Sequence, residues 1–149
     1  MVAGAIAGFL LLFWVASYFG FTERRFLTGS NISLWIGLLM TITGVMFAIW
    51  ARATLGRNWS GMVTVKQNHE LIRTGPYALV RHPIYTGLLF AAVGTSIFDG
   101  EIRSLIALLV VLSVLSYKMK IEEQFMTARF GSEYAGYRNK TKALVPFLW

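Results

Sequence analysis

The chain has no cysteine, which excludes disulfides, thiolate nucleophiles and thiolate metal sites together. Histidine is almost as scarce. Only His69 and His82 occur, and a pair so far apart, one preceded by Asn and the other by Arg, makes a poor metal site. Charged residues make up 14% of the chain, against roughly 25% in an ordinary soluble domain. Proline appears only at Pro76, Pro83 and Pro146, so long stretches are free to be helical and the breaks are few. No glycine-rich phosphate loop follows a strand, and no Ser-His-Asp ordering is found. No charge falls in the middle of an apolar run, which disfavours a transporter or channel.

What is abundant is apolar surface: 56% of the residues are hydrophobic and the mean hydropathy is +0.58. Four apolar runs stand out, Val2–Phe21, Ile32–Ala51, Pro83–Phe98 and Ser104–Tyr117. The first two reach the roughly 20 residues that cross a bilayer, and the last two are shorter, needing a flanking turn or a thinner membrane. Asp99–Arg103 is so brief a link that the last two runs must form a helical hairpin. The first run has no positive residue ahead of its core and no small-residue cleavage site after it, so it is expected to persist as a span. The expected fold is therefore all-α and membrane-integral, a single domain over residues 1–149 with about four transmembrane helices and a cytosolic C-terminal helical region.

The net charge of +7 is distributed in the loops and forms no continuous basic stripe, so lipid headgroups explain it better than nucleic acid. With four spans, eleven of the fourteen lysines and arginines fall on the side shared by the N-terminus, the loop from Arg52 to His82 and the tail from Lys118. By the positive-inside rule both termini face the cytoplasm. The middle loop carries Trp59, Met62, Val63, Val65, Leu71 and Ile72 and is expected to pack on the membrane face. From Lys118 the last helix should run on to Phe130, with Gly131 as its cap and Ser132 starting a shorter helix. Tyr134 and Tyr137 would then share a face.

Two constellations carry chemistry. Gly75–Gly87 crowds Tyr77, Arg81, His82, Pro83 and Tyr85 where loop becomes span. An arginine there offers a donor fork for carboxylate or phosphate, and the bland alternative is an interfacial anchor that snorkels to phospholipid. Glu122 and Glu123 lie about one turn beyond the last run. Glu122 could simply pair with Lys118 four residues earlier, or it could face a cationic ligand from a partly apolar wall.

His69-Glu-Leu-Ile, Gly75-Pro-Tyr, Arg81-His-Pro-Ile-Tyr-Thr-Gly, Glu122-Glu123, Phe130-Gly131 with Tyr134 and Tyr137, and Pro146-Phe147 occur in an order and spacing that resembles the isoprenylcysteine carboxyl methyltransferase family. Leu55–Ser60 is similar to the Leu-Gly-x-x-aromatic element upstream in that family. The likeness covers about Leu55 to Phe147. It implies an integral membrane enzyme moving a methyl group from S-adenosylmethionine to a lipid or lipidated acceptor, in contact with membrane lipids and using neither metal nor nucleic acid.

Carried across by position, the resemblance implies a cofactor region over about 55–85 and 118–147, with His69, Leu71, Ile72, Tyr77, His82, Pro83, Tyr85 and Glu122 in contact with the cofactor. It implies a catalytic and acceptor-holding role for Arg81 and a substrate contact at Lys118. The eukaryotic prenylcysteine enzymes have arginine at the position of Lys118, so the bidentate fork is lost there. The short chain is also similar to phospholipid N-methyltransferases and to bacterial relatives, which makes a bacterial or archaeal inner membrane the expected location. Aminophospholipid N-methylation and a non-enzymatic structural membrane protein are the alternatives to carboxyl methylation.

Overall fold

The computed structural model describes residues 14, 17, 18, 20, 23–56 and 71–145. Most of the first apolar run, the loop over 57–70 with His69, and Pro146–Phe147 lie outside the described residues. Among the described residues the elements, in order, are α1 over Asn31–Leu55, a 3-10 turn over Gly75–Ala78, α2 over Pro83–Asp99 and α3 over Ile102–Lys140.

Helix α1 begins at Ser30, whose hydroxyl accepts from Ser33 N while the Ser33 hydroxyl accepts from Ser30 N. The reciprocal pair satisfies two donors that a helix start leaves open. α1 buries Gly37, Gly44, Ala48 and Ala51, and antiparallel α2 answers with Gly87, Ala91 and Gly94. Backbones touch along this seam. A methyl group on Gly44 would lie 2.5 Å from Ala91 N and 2.6 Å from Gly87 O, and one on Gly94 would lie 2.6 Å from Thr41 N. The Thr41 hydroxyl donates to Gly37 O at 2.8 Å and reaches Thr95 Oγ1 across the seam at 3.3 Å.

The large side chains of α1 point the other way. Trp35, Ile36, Leu39, Ile42, Met46 and Ile49 are exposed, so the helix is small inside and bulky outside. In water this would leave the apolar surface unburied, whereas in hydrocarbon close backbone packing is what holds helices together. By length and composition α1 and α3 can each cross a membrane, and α2, with 17 residues, is a shorter apolar helix.

Pro83 occupies the first turn of α2, where its missing N–H costs nothing. Gly100 ends the helix with φ +69, a left-handed conformation that glycine adopts without strain. Its carbonyl accepts from Phe26 N and Leu27 N, tying the segment before α1 to the turn. α3 starts directly after Glu101, and the Ser96 hydroxyl donates to Ser104 O at 3.1 Å. The hairpin expected from the short link is thus present. α3 continues past the apolar run Ser104–Tyr117, as expected from the helix formers after Lys118: at about 1.5 Å per residue its 39 residues greatly exceed a hydrocarbon core of ~30 Å. Gly131 (φ 51, ψ −122) breaks it into two helical segments, as the sequence suggested.

The glycine seam makes a prediction. Gly44→Ala pushes a methyl into the α2 backbone and is expected to destabilise the protein in detergent by about 1–3 kcal/mol, read as a lowered unfolding temperature. Gly136→Ala, whose methyl meets nothing within 4 Å, should be neutral or slightly stabilising. Equal behaviour of the two variants would contradict the seam.

Candidate active site

The end of the hairpin away from Gly100 is assembled from three pieces: the start of α2, the extended part of α3, and the chain after α3. Leaving α3 at Thr141, the chain turns back beside Val80–His82. Arg81 N donates to Lys142 O at 2.8 Å and His82 N to Ala143 O at 3.0 Å, while the Thr86 hydroxyl donates to Leu144 O at 2.7 Å. Ala143 and Leu144 pack with Tyr85 and Met119 in a small apolar core. The Tyr137 hydroxyl donates to Tyr77 O at 2.6 Å, fastening the 3-10 turn to α3.

This return path encloses a charge cluster. Arg81 Nε donates to Glu123 Oε1 at 2.6 Å. Arg81 Nη1 donates to the main-chain carbonyls of Arg138, at 3.3 Å, and Thr141. His82 sits between both carboxylates, with Nε2 3.1 Å from Glu123 Oε1 and Nδ1 3.5 Å from Glu122 Oε2. With its two nitrogens both facing carboxylate oxygens, the imidazole can donate to both only in its protonated form, which these contacts favour. Arg81 and His82 side chains are only 10% and 8% exposed, and Glu123 and Glu122 are 16% and 27% exposed. Two positive and two negative groups are therefore removed from water as one neutralised set. Arg138 Nε adds a third cation 3.6 Å from Glu123 Oε2.

Glu122 is the more open carboxylate. It accepts from the Tyr85 hydroxyl at 2.5 Å. The Tyr85 ring stacks on His82 with centroids 5.6 Å apart and planes 5° from parallel. The Lys118 ammonium stands 5.8 Å from the Tyr85 centroid, within cation–π range. A carboxylate, a flat aromatic wall and flanking donors thus share one pocket edge.

Charge states follow from these contacts, all in groups outside the apolar runs. For His82 burial alone lowers the pKa, but hydrogen bonds to Glu122 and Glu123 and their charge outweigh it, so the pKa is raised. Burial raises the Glu123 pKa, yet hydrogen bonds from His82 and Arg81 prevail and bring it down to about 2. Glu122 is opposed by burial in the same way and is lowered by His82, Tyr85 and the Lys118 charge.

Of the residues singled out in the sequence, Tyr77, Arg81, His82, Pro83, Tyr85, Lys118 and Glu122 come together here. Pro83 and Tyr77 are buried, and Leu71 and Ile72 are half-buried on the segment entering the turn. His69 lies outside the described residues. The Glu122 carboxylate is engaged by Tyr85 and His82 as well as influenced by Lys118, so the simple helical ion pair is not its whole environment. Sequence reasoning placed residues 118–147 in the site region as a whole but gave no individual role to Glu123, Arg138, Thr141 or the 142–144 segment. The adjacent carboxylates were visible, but only the returning chain buries the second. A separate groove of about 460 Å³ lies along Arg73, Glu133, Lys140 and Thr141. It includes none of Arg81, His82, Tyr85 and Glu122, so the charge cluster is the stronger candidate for chemistry.

An all-helical membrane-type fold with this cluster at one end of a helical hairpin defines a class, and comparison with known proteins gives its family. Residues 32–133 match the phospholipid methyltransferase family model, and the chain belongs to that family. It is 35% identical over 117 residues to a probable protein-S-isoprenylcysteine O-methyltransferase of Oryza sativa subsp. indica, covering 76% of this chain and 61% of the relative. It is 31% identical over 132 residues to protein-S-isoprenylcysteine O-methyltransferase B of Arabidopsis thaliana, covering 85% and 67%. The structure of the eukaryotic intramembrane Ras methyltransferase, isoprenylcysteine carboxyl methyltransferase, superposes with TM-score 0.70 at 25% identity, covering 99% of this chain and 52% of that one. The chain thus spans about half to two thirds of the length of these relatives.

The charge states predict a pH profile for stability. His82, with a raised pKa, stabilises the fold fully below its ordinary value of 6.5 and loses that contribution as pH rises through the folded value. Glu123, with a lowered pKa, stabilises above its ordinary value of 4.5 and loses the contribution as pH falls toward about 2. The unfolding temperature in detergent should therefore peak between these two values and decline on the alkaline side, and the alkaline decline should be shallower in His82→Gln. A wild-type profile that stays flat through the alkaline range would rule out the protonated histidine.

Proposed function

We propose that this chain is an integral membrane methyltransferase that uses S-adenosylmethionine to methylate the carboxylate of a lipid-borne acceptor of the prenylcysteine type. The observation that carries the reading is the Tyr85–Glu122 hydrogen bond beside the stacked His82–Tyr85 pair, in a family member related to protein-S-isoprenylcysteine O-methyltransferases. S-adenosylmethionine, when bound, supplies an electrophilic methyl group on a sulfonium. The residues present suit such a group, since it needs a carboxylate for its ammonium, donors for its own carboxylate and aromatic surface for its cationic and ring portions.

In this reading Glu122 holds the ammonium, and Tyr77, His82, Pro83 and Tyr85 form the wall, joined by Leu71, Ile72 and His69. Arg81 and Lys118 face the acceptor carboxylate. A carboxylate is already ionised at neutral pH, so no proton has to be removed and the chain's work is alignment and exclusion of water. The alternative, N-methylation of an aminophospholipid, has the family model's description in its favour but needs a base. The pKa of His82 is raised and those of Glu122 and Glu123 are lowered by their contacts with one another, so all three are engaged in the cluster, which weighs against their serving as that base. About four spans, both termini in the cytoplasm and the site on that side complete the reading, supported by the excess of positive residues on one set of loops.

Calorimetry of the purified protein in detergent should detect S-adenosylhomocysteine, and Glu122→Gln and Tyr85→Ala should weaken it at least tenfold. Absence of binding by the wild type would favour a purely structural membrane protein. With labelled cofactor, a prenylcysteine product should release methanol in base, whereas a stable N-methyl product on an aminophospholipid would assign the other acceptor class.

A further inference from the structure

The two adjacent carboxylates do different things. Glu122 is the more exposed, is bonded to Tyr85, and borders the aromatic wall. Glu123 is turned into the body of the site, where one oxygen serves both Arg81 Nε and His82 Nε2 and the other faces Arg138. The buried Tyr134 acts on it as well, helping to hold its pKa down. A carboxylate so surrounded has little acceptor capacity left for a ligand. The consequence falls on Arg81. Its Nε is held by Glu123 and its Nη1 by the carbonyls of Arg138 and Thr141, and Nη2 takes part in none of these three bonds.

We infer that Glu123 is a positioning residue: it clamps the Nε edge of Arg81, while the carbonyls at the end of α3 clamp Nη1, so that the guanidinium presents Nη2 alone to an anionic acceptor group. The acceptor carboxylate is then gripped through one nitrogen and oriented by a preset plane, rather than by a mobile bidentate fork. Arginine rigidity is what makes this work, because fixing two nitrogens of a planar guanidinium fixes the third. The inference rests on the methyltransferase reading above, and it divides the paired glutamates into one that meets the cofactor and one that meets only protein.

Three measurements on the protein in detergent test it. In Glu123→Gln, S-adenosylhomocysteine affinity should stay within about threefold of wild type, whereas kcat with a prenylcysteine acceptor falls at least tenfold; Glu123→Asp should recover part of the loss. Loss of S-adenosylhomocysteine affinity as severe as in Glu122→Gln would make Glu123 a cofactor ligand and overturn the assignment, and so would an unchanged kcat. The third readout does not depend on activity. In ¹⁵N-arginine spectra, the Arg81 Nε–H signal, assigned by its loss in Arg81→Lys, should be protected from solvent exchange in wild type and exposed in Glu123→Gln. If the wild type neither binds S-adenosylhomocysteine nor methylates any acceptor, the proposed function fails by itself. The clamp is then decided by the exchange data, and an Arg81 signal equally protected in both proteins overturns it.

Discussion

Charge removed from water has to be neutralised by contact, and that constraint organises the functional end of this molecule. Arg81 and His82 lie at the start of an apolar helix, at 10% and 8% side-chain exposure. Neither could stay there ionised without carboxylates within a few ångströms, because the desolvation cost of an unpaired buried ion is several kcal/mol. Glu122 and Glu123 supply the opposite charge from α3, which brings the extension of that helix alongside the start of α2. The main-chain carbonyls at Arg138 and Thr141 accept from Arg81 Nη1, and this helps to draw the chain after α3 back over the site. Residues 141–144 are held there by this guanidinium together with the backbone bonds to Arg81 and His82 and the packing of Ala143 and Leu144.

The other end obeys a different rule. Between α1 and α2 there is no charge to compensate, and the helices meet through Gly37, Gly44, Gly87, Ala91 and Gly94 with bulky residues turned outward. Shape complementarity of bare backbone replaces burial of large side chains, as expected where the surroundings are themselves apolar. The glycine seam fixes α1 against α2, and the short turn through Gly100 and Glu101 fixes α3 against α2. The start of α2 is thus held on a rigid frame, and Arg81, His82 and Tyr85 inherit that rigidity. Precise placement of donors is what a reaction limited by alignment requires.

Much of this architecture could be read directly from the residues. Uninterrupted apolar runs located α2 to within a residue and α1 to within about a turn at its end, because a helix that must satisfy its own backbone away from water leaves a long and unambiguous signature. The brevity of Asp99–Arg103 forced the hairpin, and Gly131 marked the break in α3. The candidate site was legible in part: Tyr77, Arg81, His82, Pro83, Tyr85, Lys118 and Glu122 were picked out and do converge. Hydropathy alone marked only the first half of α3, and it was the helix formers from Lys118 to Phe130 and the glycine at 131 that gave its continuation and its break.

What the sequence determined alone was local and compositional: where helices run, where glycine or proline interrupts them, and which titratable residues sit near an apolar boundary. Which carboxylate faces which partner was decided only by tertiary structure. Neighbouring positions on a helix point about 100° apart, so Glu122 and Glu123, alike in sequence, meet different nitrogens of His82 and otherwise face different partners. The return of residues 141–144 beside Val80–His82 builds a second wall, and that wall turns Glu123 from a solvated charge into the buried anchor of Arg81. A contact made through main-chain carbonyls, like those of Arg138 and Thr141, leaves no trace in side-chain chemistry, and only the folded chain reveals it.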